Sequence, residues 1–171
     1  TVRAIACDLG LLSACHVDSC DAPYLDPETP EDCLAALDME GCGQCRYYDC
    51  LDNFAGCGDQ GYLLSYGGAY CERFTQITAP RMSQRGQEWL GRVRICLVEN
   101  MSAGYYEGEL CDDLWQRGAD DHVGCYVDSG LCSLGLGDWL AIRATVAEWD
   151  IPIAQLFAIG SECAGQWFGW K

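Results

Sequence analysis

Cys42-Gly43-Gln44-Cys45 has the C-x-x-C spacing shared by thiol redox centres and by half of a zinc site. Zinc needs four ligands. No second C-x-x-C occurs, and the two histidines, His16 and His122, stand far away in sequence. A redox pair needs an accessible thiolate of lowered pKa, in a chain whose fourteen cysteines form an even set suited to seven bridges. The pattern therefore reads as staples: disulfide partners are expected at Cys7, Cys15, Cys20, Cys33, Cys42, Cys45, Cys50, Cys57, Cys71, Cys96, Cys111, Cys125, Cys132 and Cys163, with no metal ligand among them.

Other reactive types are sparse. Asp121-His122 sets a carboxylate beside an imidazole, and "YGGAYC" (Tyr66 to Cys71) has a trace of a glycine-rich calcium loop. Secreted phospholipase chemistry, however, wants the order His-Asp on a helix, whereas Asp121-His122 is expected in a loop. No G-x-S-x-G word supports a serine nucleophile. "LGLGDW" (Leu134 to Trp139) reads as a helix start rather than a nucleotide loop. Asp112-Asp113, Asp120-Asp121 and the group Asp26, Glu28, Glu31 and Asp32 lack the ligand order of an EF-hand. They read as solvated faces, with weak calcium association as the most they support. No catalytic residue, metal site or cofactor is expected, and a secreted hydrolase is only a remote alternative.

Composition sets the setting for these residues. The chain has 171 residues, half of them apolar, enough for one domain with a real core. Cysteine density points to an oxidising compartment. A start at Thr1 rather than Met suggests a removed signal peptide, and Asn100-Met101-Ser102 is an N-glycosylation sequon. A net charge of −16 disfavours nucleic acid and anionic membranes. No apolar run is long enough for a membrane span.

The positioning elements read as helices. Thr29, Pro30 and Asp32 make a helix start that Gly41 can end. Ser83 opens the clearest helix, with Trp89, Leu90, Val93, Cys96, Leu97 and Met101 at helical spacing. "GELCDDLWQRG" predicts a third, capped by Gly118, and Asp138 starts a fourth through Trp139, Ile142, Val146 and Trp149. Pro152 to Ile159 fits a short helix stopped by Gly160. The expected fold is mainly α, a small disulfide-rich helical domain with an irregular cysteine-tied N-terminal arm.

The cysteine order from Cys33 to Cys132, with the words "CLAALDMEGCG", "CLDN" and "GCYVDSGLCSL", resembles that of the stanniocalcins, secreted disulfide-rich helical glycoproteins. The resemblance implies the pairs Cys33–Cys50, Cys42–Cys71, Cys57–Cys111, Cys96–Cys125 and Cys132–Cys163. Cys7, Cys15, Cys20 and Cys45 fall outside that set, which suggests two further bridges, one of them from Cys45 to the arm. The word "IAQLFAIGSEC" also resembles the stretch before the family's interchain cysteine, so an interchain role for Cys163 stays open. The family's own sequon is absent, since Asn53-Phe54-Ala55 is none.

The reading divides the chain into an arm (1–30), a stanniocalcin-like helical domain (31–163) and an aromatic tail (164–171). Val2 and Ile5 in the arm, and Trp167, Phe168 and Trp170 in the tail, are candidate interface residues, because aromatic patches favour contact surfaces. The expectation is a secreted, extracellular, non-enzymatic interaction module that self-associates into a larger assembly or filament. Its partners would be copies of itself or another extracellular protein. The alternative is a soluble secreted regulator.

Overall fold

Ser83 opens the longest helix as the spacing predicts. Its hydroxyl accepts from the Gly86 amide at 3.1 Å, satisfying one of the donors that a helix start leaves bare. This computed structural model describes residues 20–146, 159–161 and 163–164. Among the described residues α-helices span Arg46–Ala55 (α1), Ala69–Arg73 (α2), Gln84–Gly104 (α3), Cys111–Asp128 (α4) and Leu136–Thr145 (α5), joined by short 3-10 helices that include Pro30–Asp38 and Gly41–Cys45. No strand occurs among the described residues. The fold is a mainly α, disulfide-rich domain. None of its described helices is long and apolar enough to cross a membrane.

α5 locks onto the start of α3 through one side chain. Asp138, in the first turn of α5, is buried and accepts from the Ser83 amide at 2.7 Å and from the Ser83 hydroxyl at 2.8 Å. Its negative charge thus sits at the positive end of α3. Gly86 makes room, since a Cβ there would come within 2.6 Å of the Asp138 carboxylate.

The sequence reading missed the segment before α3. Leu63–Gly68 and Phe74–Thr78 are π-helical turns on either side of α2, and Ala79–Arg81 closes the run as a 3-10 turn. Tyr62, Tyr66, Tyr70 and Phe74 recur every fourth residue along it. In a pure α-helix such a row drifts about 40° per step. The wider π turns hold it in line, with ring centroids 5.6, 4.7 and 6.4 Å apart in succession.

Gly118, expected to cap a helix at "WQRG", lies in mid-α4 instead. A Cβ at Gly118 would come within 2.5 Å of the Tyr62 ring, so its role is close approach rather than termination. Asp121 and His122, expected in a loop, consequently lie on α4. Gly41 begins a 3-10 helix rather than ending one, because the preceding helix stops at Asp38. Gly160 continues helical backbone from Ile159 to Ser161. The rest of the expected 152–159 helix lies outside the described residues.

Two cores result. One gathers Tyr47, Leu51, Tyr62, Leu63, Val98, Met101 and Leu114. The other gathers Tyr70, Phe74, Trp89, Leu90, Val93, Leu131 and Val146. Among the described residues six disulfides tie them together: Cys20–Cys42, Cys33–Cys50, Cys45–Cys71, Cys57–Cys111, Cys96–Cys125 and Cys132–Cys163. Cys163 closes within the chain. Cys7 and Cys15 lie outside the described residues.

The implied Cys42–Cys71 pair is not formed, and it is Cys42, not Cys45, that holds the arm. In a 3-10 turn, residues i and i+3 stack along the axis. Cys42 therefore meets the arm, whose Cys20 and Ala22 carbonyls both accept from the Arg46 guanidinium. Cys45, one turn on, is buried against the helix carrying Cys71 and Thr75.

Two outcomes test this frame. Non-reducing peptide mapping should recover Cys20 with Cys42 and Cys45 with Cys71; a Cys42–Cys71 peptide would contradict the structure. Asp138→Ala removes the acceptor of two Ser83 donors and should lower unfolding stability by about 1–3 kcal/mol, measured by urea titration of the oxidised protein.

Candidate functional site

His122 is a titratable group that α4 carries into the interior, at 8% exposure. Its Nδ1–H donates to the Gly118 carbonyl at 2.6 Å, one helical turn back. A carbonyl only accepts, so the neutral ring carries its proton on Nδ1 and presents Nε2 as an acceptor. The same carbonyl accepts from the Tyr62 hydroxyl at 3.3 Å. Tyr62, Tyr66 and Tyr126 surround the imidazole edge to face, with centroids 6.3, 5.7 and 5.5 Å away. Trp115 packs on the outer side of Tyr62 and Tyr66, edge to face with the first and tilted against the second.

Burial dominates the electrostatics. It holds the His122 pKa below the ordinary value of 6.5, against the opposing pull of the Gly118 and Ala119 carbonyls and of Asp121. It raises the Tyr62 and Tyr126 phenols well above their usual range, and pushes Tyr48 up to about 12. Asp121 is half-exposed, and its carboxyl is raised first by burial, with Arg117 and His122 opposing. The Asp121-His122 pair thus does not form the carboxylate-oriented imidazole of a hydrolytic triad, because the orienting partner of Nδ1 is a backbone carbonyl.

His122 and Tyr126 help to wall two neighbouring cavities. One, of about 50 Å³, is bounded by Tyr48, Gly67, Leu90, Val93, Arg94 and Leu97. The other, of about 200 Å³, is bounded by Leu131, Trp139, Ile142, Arg143, Val146 and Ile159. Tyr70, Phe74, Trp89, His122 and Tyr126 belong to both. Gly67 matters to the first, because a Cβ there would come within 2.5 Å of the Tyr48 ring. "YGGAYC", the trace of a calcium loop in the sequence, is thus helical wall, with no loop carbonyls turned to a cation. Sequence reasoning missed this cluster. Its signal was the four-residue aromatic spacing from Tyr62 to Phe74.

The remaining candidates are dispersed. Asn100 is exposed on α3, its amide 3.6 Å from the Cys125 sulfur, and Ser102 of the sequon shares a 2.8 Å hydrogen bond with the Tyr47 hydroxyl. Asp112 and Asp113 are exposed in the first turn of α4, where the helix dipole favours them. Asp32 accepts from the Glu28 and Thr29 amides, which hold its carboxyl low. Asp120 accepts from Gln116. Among the described residues no three His, Cys, Asp or Glu side chains are grouped to hold a metal ion. Val2, Ile5, Trp167, Phe168 and Trp170 lie outside the described residues.

Comparison adds no relative: no family model, no curated protein and no solved structure matches the chain.

The His122 environment sets a pH dependence. A lowered folded pKa means that the unfolded chain takes up a proton first as pH falls below about 6.5. Stability carried by neutral His122 is therefore full above that value and lost progressively between it and the lower folded pKa. The raised Asp121 carboxyl works in the opposite direction and at lower pH. The urea midpoint should fall between pH 7 and pH 5, and His122→Asn should flatten that decline. An unchanged slope in the variant would assign the effect to other groups.

Proposed function

We propose that this chain is a secreted, extracellular, non-enzymatic protein-interaction module of stanniocalcin-like type, and that its work is to self-associate into a larger assembly. The observation that carries this reading is a pair of leucines held out in water by a fixed frame. Leu136 and Leu140 lie one turn apart on α5 at 76% and 61% exposure. Their helix is anchored by Asp138 and preceded by the Cys132–Cys163 bridge. Single exposed leucines are ordinary, but a paired apolar patch on a rigid element favours a protein contact.

Other features support the same setting. Six disulfides suit an oxidising, extracellular environment. Four of the pairings implied by the stanniocalcin resemblance coincide with those of the structure. His122, the group best placed for proton transfer, spends Nδ1–H on a carbonyl and is kept neutral by burial, which favours a structural over a catalytic role. Asn100 is exposed, as an N-linked glycan site requires. The net charge of −16 makes copies repel one another at low ionic strength, so salt or calcium should promote association by screening.

Light scattering tests the proposal. The full chain should form species larger than a monomer, more so at 0.5 M than at 0.05 M salt, and Leu136→Glu with Leu140→Lys should shift it toward monomer. A second comparison, with a chain ended after Cys163, measures what the aromatic tail adds. A monomer throughout would sink the assembly reading and leave the soluble regulator of another extracellular protein as the better account.

A further inference from the structure

Arg94 is an unusual residue in a chain with 26 acidic and 10 basic side chains. It lies in the middle of α3, and desolvation lowers its pKa, so its charge is held at a real cost. Yet its partners are neutral. One guanidinium nitrogen donates to the Gln44 side-chain carbonyl, another to the Thr75 hydroxyl at 2.6 Å. Gln44 in turn donates to the Leu37 carbonyl, and Thr75 to the Cys71 carbonyl. The ion pairs among the described residues are Arg46–Asp49 and Arg117–Glu109, and neither involves Arg94. Tyr48 alongside is a neutral phenol at physiological pH.

This uncompensated guanidinium forms part of the wall of the smaller cavity, whose other walls are chiefly aromatic and aliphatic. The larger cavity shares five of those walls, and every residue shared is a ring. A benzene-sized guest needs an apolar space of roughly 150 Å³, so the smaller cavity, at about 50 Å³, has room for a ligand's head and the larger, at about 200 Å³, for its body. Ligand sites in general pair such walls with a few fixed polar groups that orient the ligand. The planar fork of an arginine matches a carboxylate in geometry as well as in charge.

We propose that the Arg94 cavity and the larger cavity beside it together form a binding site for a small amphipathic carboxylate. The anionic head lies against the Arg94 guanidinium, and the apolar body lies among Tyr70, Phe74, Trp89 and Tyr126. The charge complement is specific, because the ligand supplies the counterion that the described protein does not. Two features keep the space open. Gly67 removes a side chain where the Tyr48 ring comes close, and the bonds to Gln44 and Thr75 hold the guanidinium at the wall. The site is separate from the exposed Leu136–Leu140 patch, so it stands or falls independently of self-association.

Calorimetric titration of the full-length oxidised protein with octanoate and with octan-1-ol tests it. Octanoate should bind at least roughly tenfold more tightly than octanol, the difference made by charge-assisted hydrogen bonds. Arg94→Gln should erase that difference while leaving octanol binding in place, and Arg94→Lys should restore part of it. Leu97→Phe, which fills the cavity and keeps Arg94, should weaken both ligands together. Methyl resonances of Leu90, Val93 and Leu97 should shift with octanoate. Equal binding of acid and alcohol, binding of neither, an Arg94→Gln variant that behaves as the parent, or shifts confined to other methyls would each overturn the proposal.

Discussion

The ring of Tyr62 rests on the bare backbone of Gly118, and the interior follows from that seating. Because α4 presents no side chain there, the ring comes down on the helix itself, and its hydroxyl reaches the Gly118 carbonyl. That contact fixes the distance between α4 and the π-rich segment, and so which residues face one another. Tyr66 falls opposite His122, and Trp115 covers both tyrosines from outside. The π turns then become a requirement. Without them the row from Tyr62 to Phe74 would wind away from α4, and the second core would lose its aromatic wall. A glycine chosen for contact and a helix widened for alignment are two halves of one constraint.

The disulfides act on a different scale. Cys57–Cys111 spans 54 residues and joins the end of α1 to the start of α4, fixing one end of the α4 approach. Cys96–Cys125 joins α3 to α4 near its other end. α4 is therefore clamped at both ends with its glycine in the middle. In the chain-entropy picture the longer of these closures contributes about 4 kcal/mol by restricting the unfolded state. Polar clamps do the remaining positioning, as with Asp138 at the start of α3.

Capping chemistry was the legible part of the sequence. Ser83 announced α3 by its cap, whereas α5, expected to start at Asp138, starts at Leu136 and leaves the Asp138 carboxylate to Ser83. The glycines misled whether buried, as Gly118 is, or exposed, as Gly41 and Gly160 are. Gly118 looked like a terminator because a free helix end and a crowded helix middle both select glycine, and only the neighbour distinguishes them. Gly67-Gly68 hid a helix in the same way, although the rings of Tyr62 to Phe74, four residues apart, share one helical face. The place of His122 was invisible, since a lone histidine has no partner in sequence to declare its burial. Its neighbourhood depends on the Tyr62–Gly118 contact, which links residues 56 positions apart.

The stacking of Cys42 above Cys45 also has a bearing on how the chain acquires its bonds. Two thiols one turn apart compete for the same incoming sulfur while the chain is still reduced. Cys71, carried by the neighbouring helix, lies within an exchange step of the wrong partner. Such a pair rearranges through a mixed disulfide only while a free thiolate persists nearby. Once Cys20 captures Cys42, that thiolate is consumed and the exchange stops. The Cys20–Cys42 bridge thus removes Cys42 as an alternative partner for Cys71 and leaves Cys45 to it.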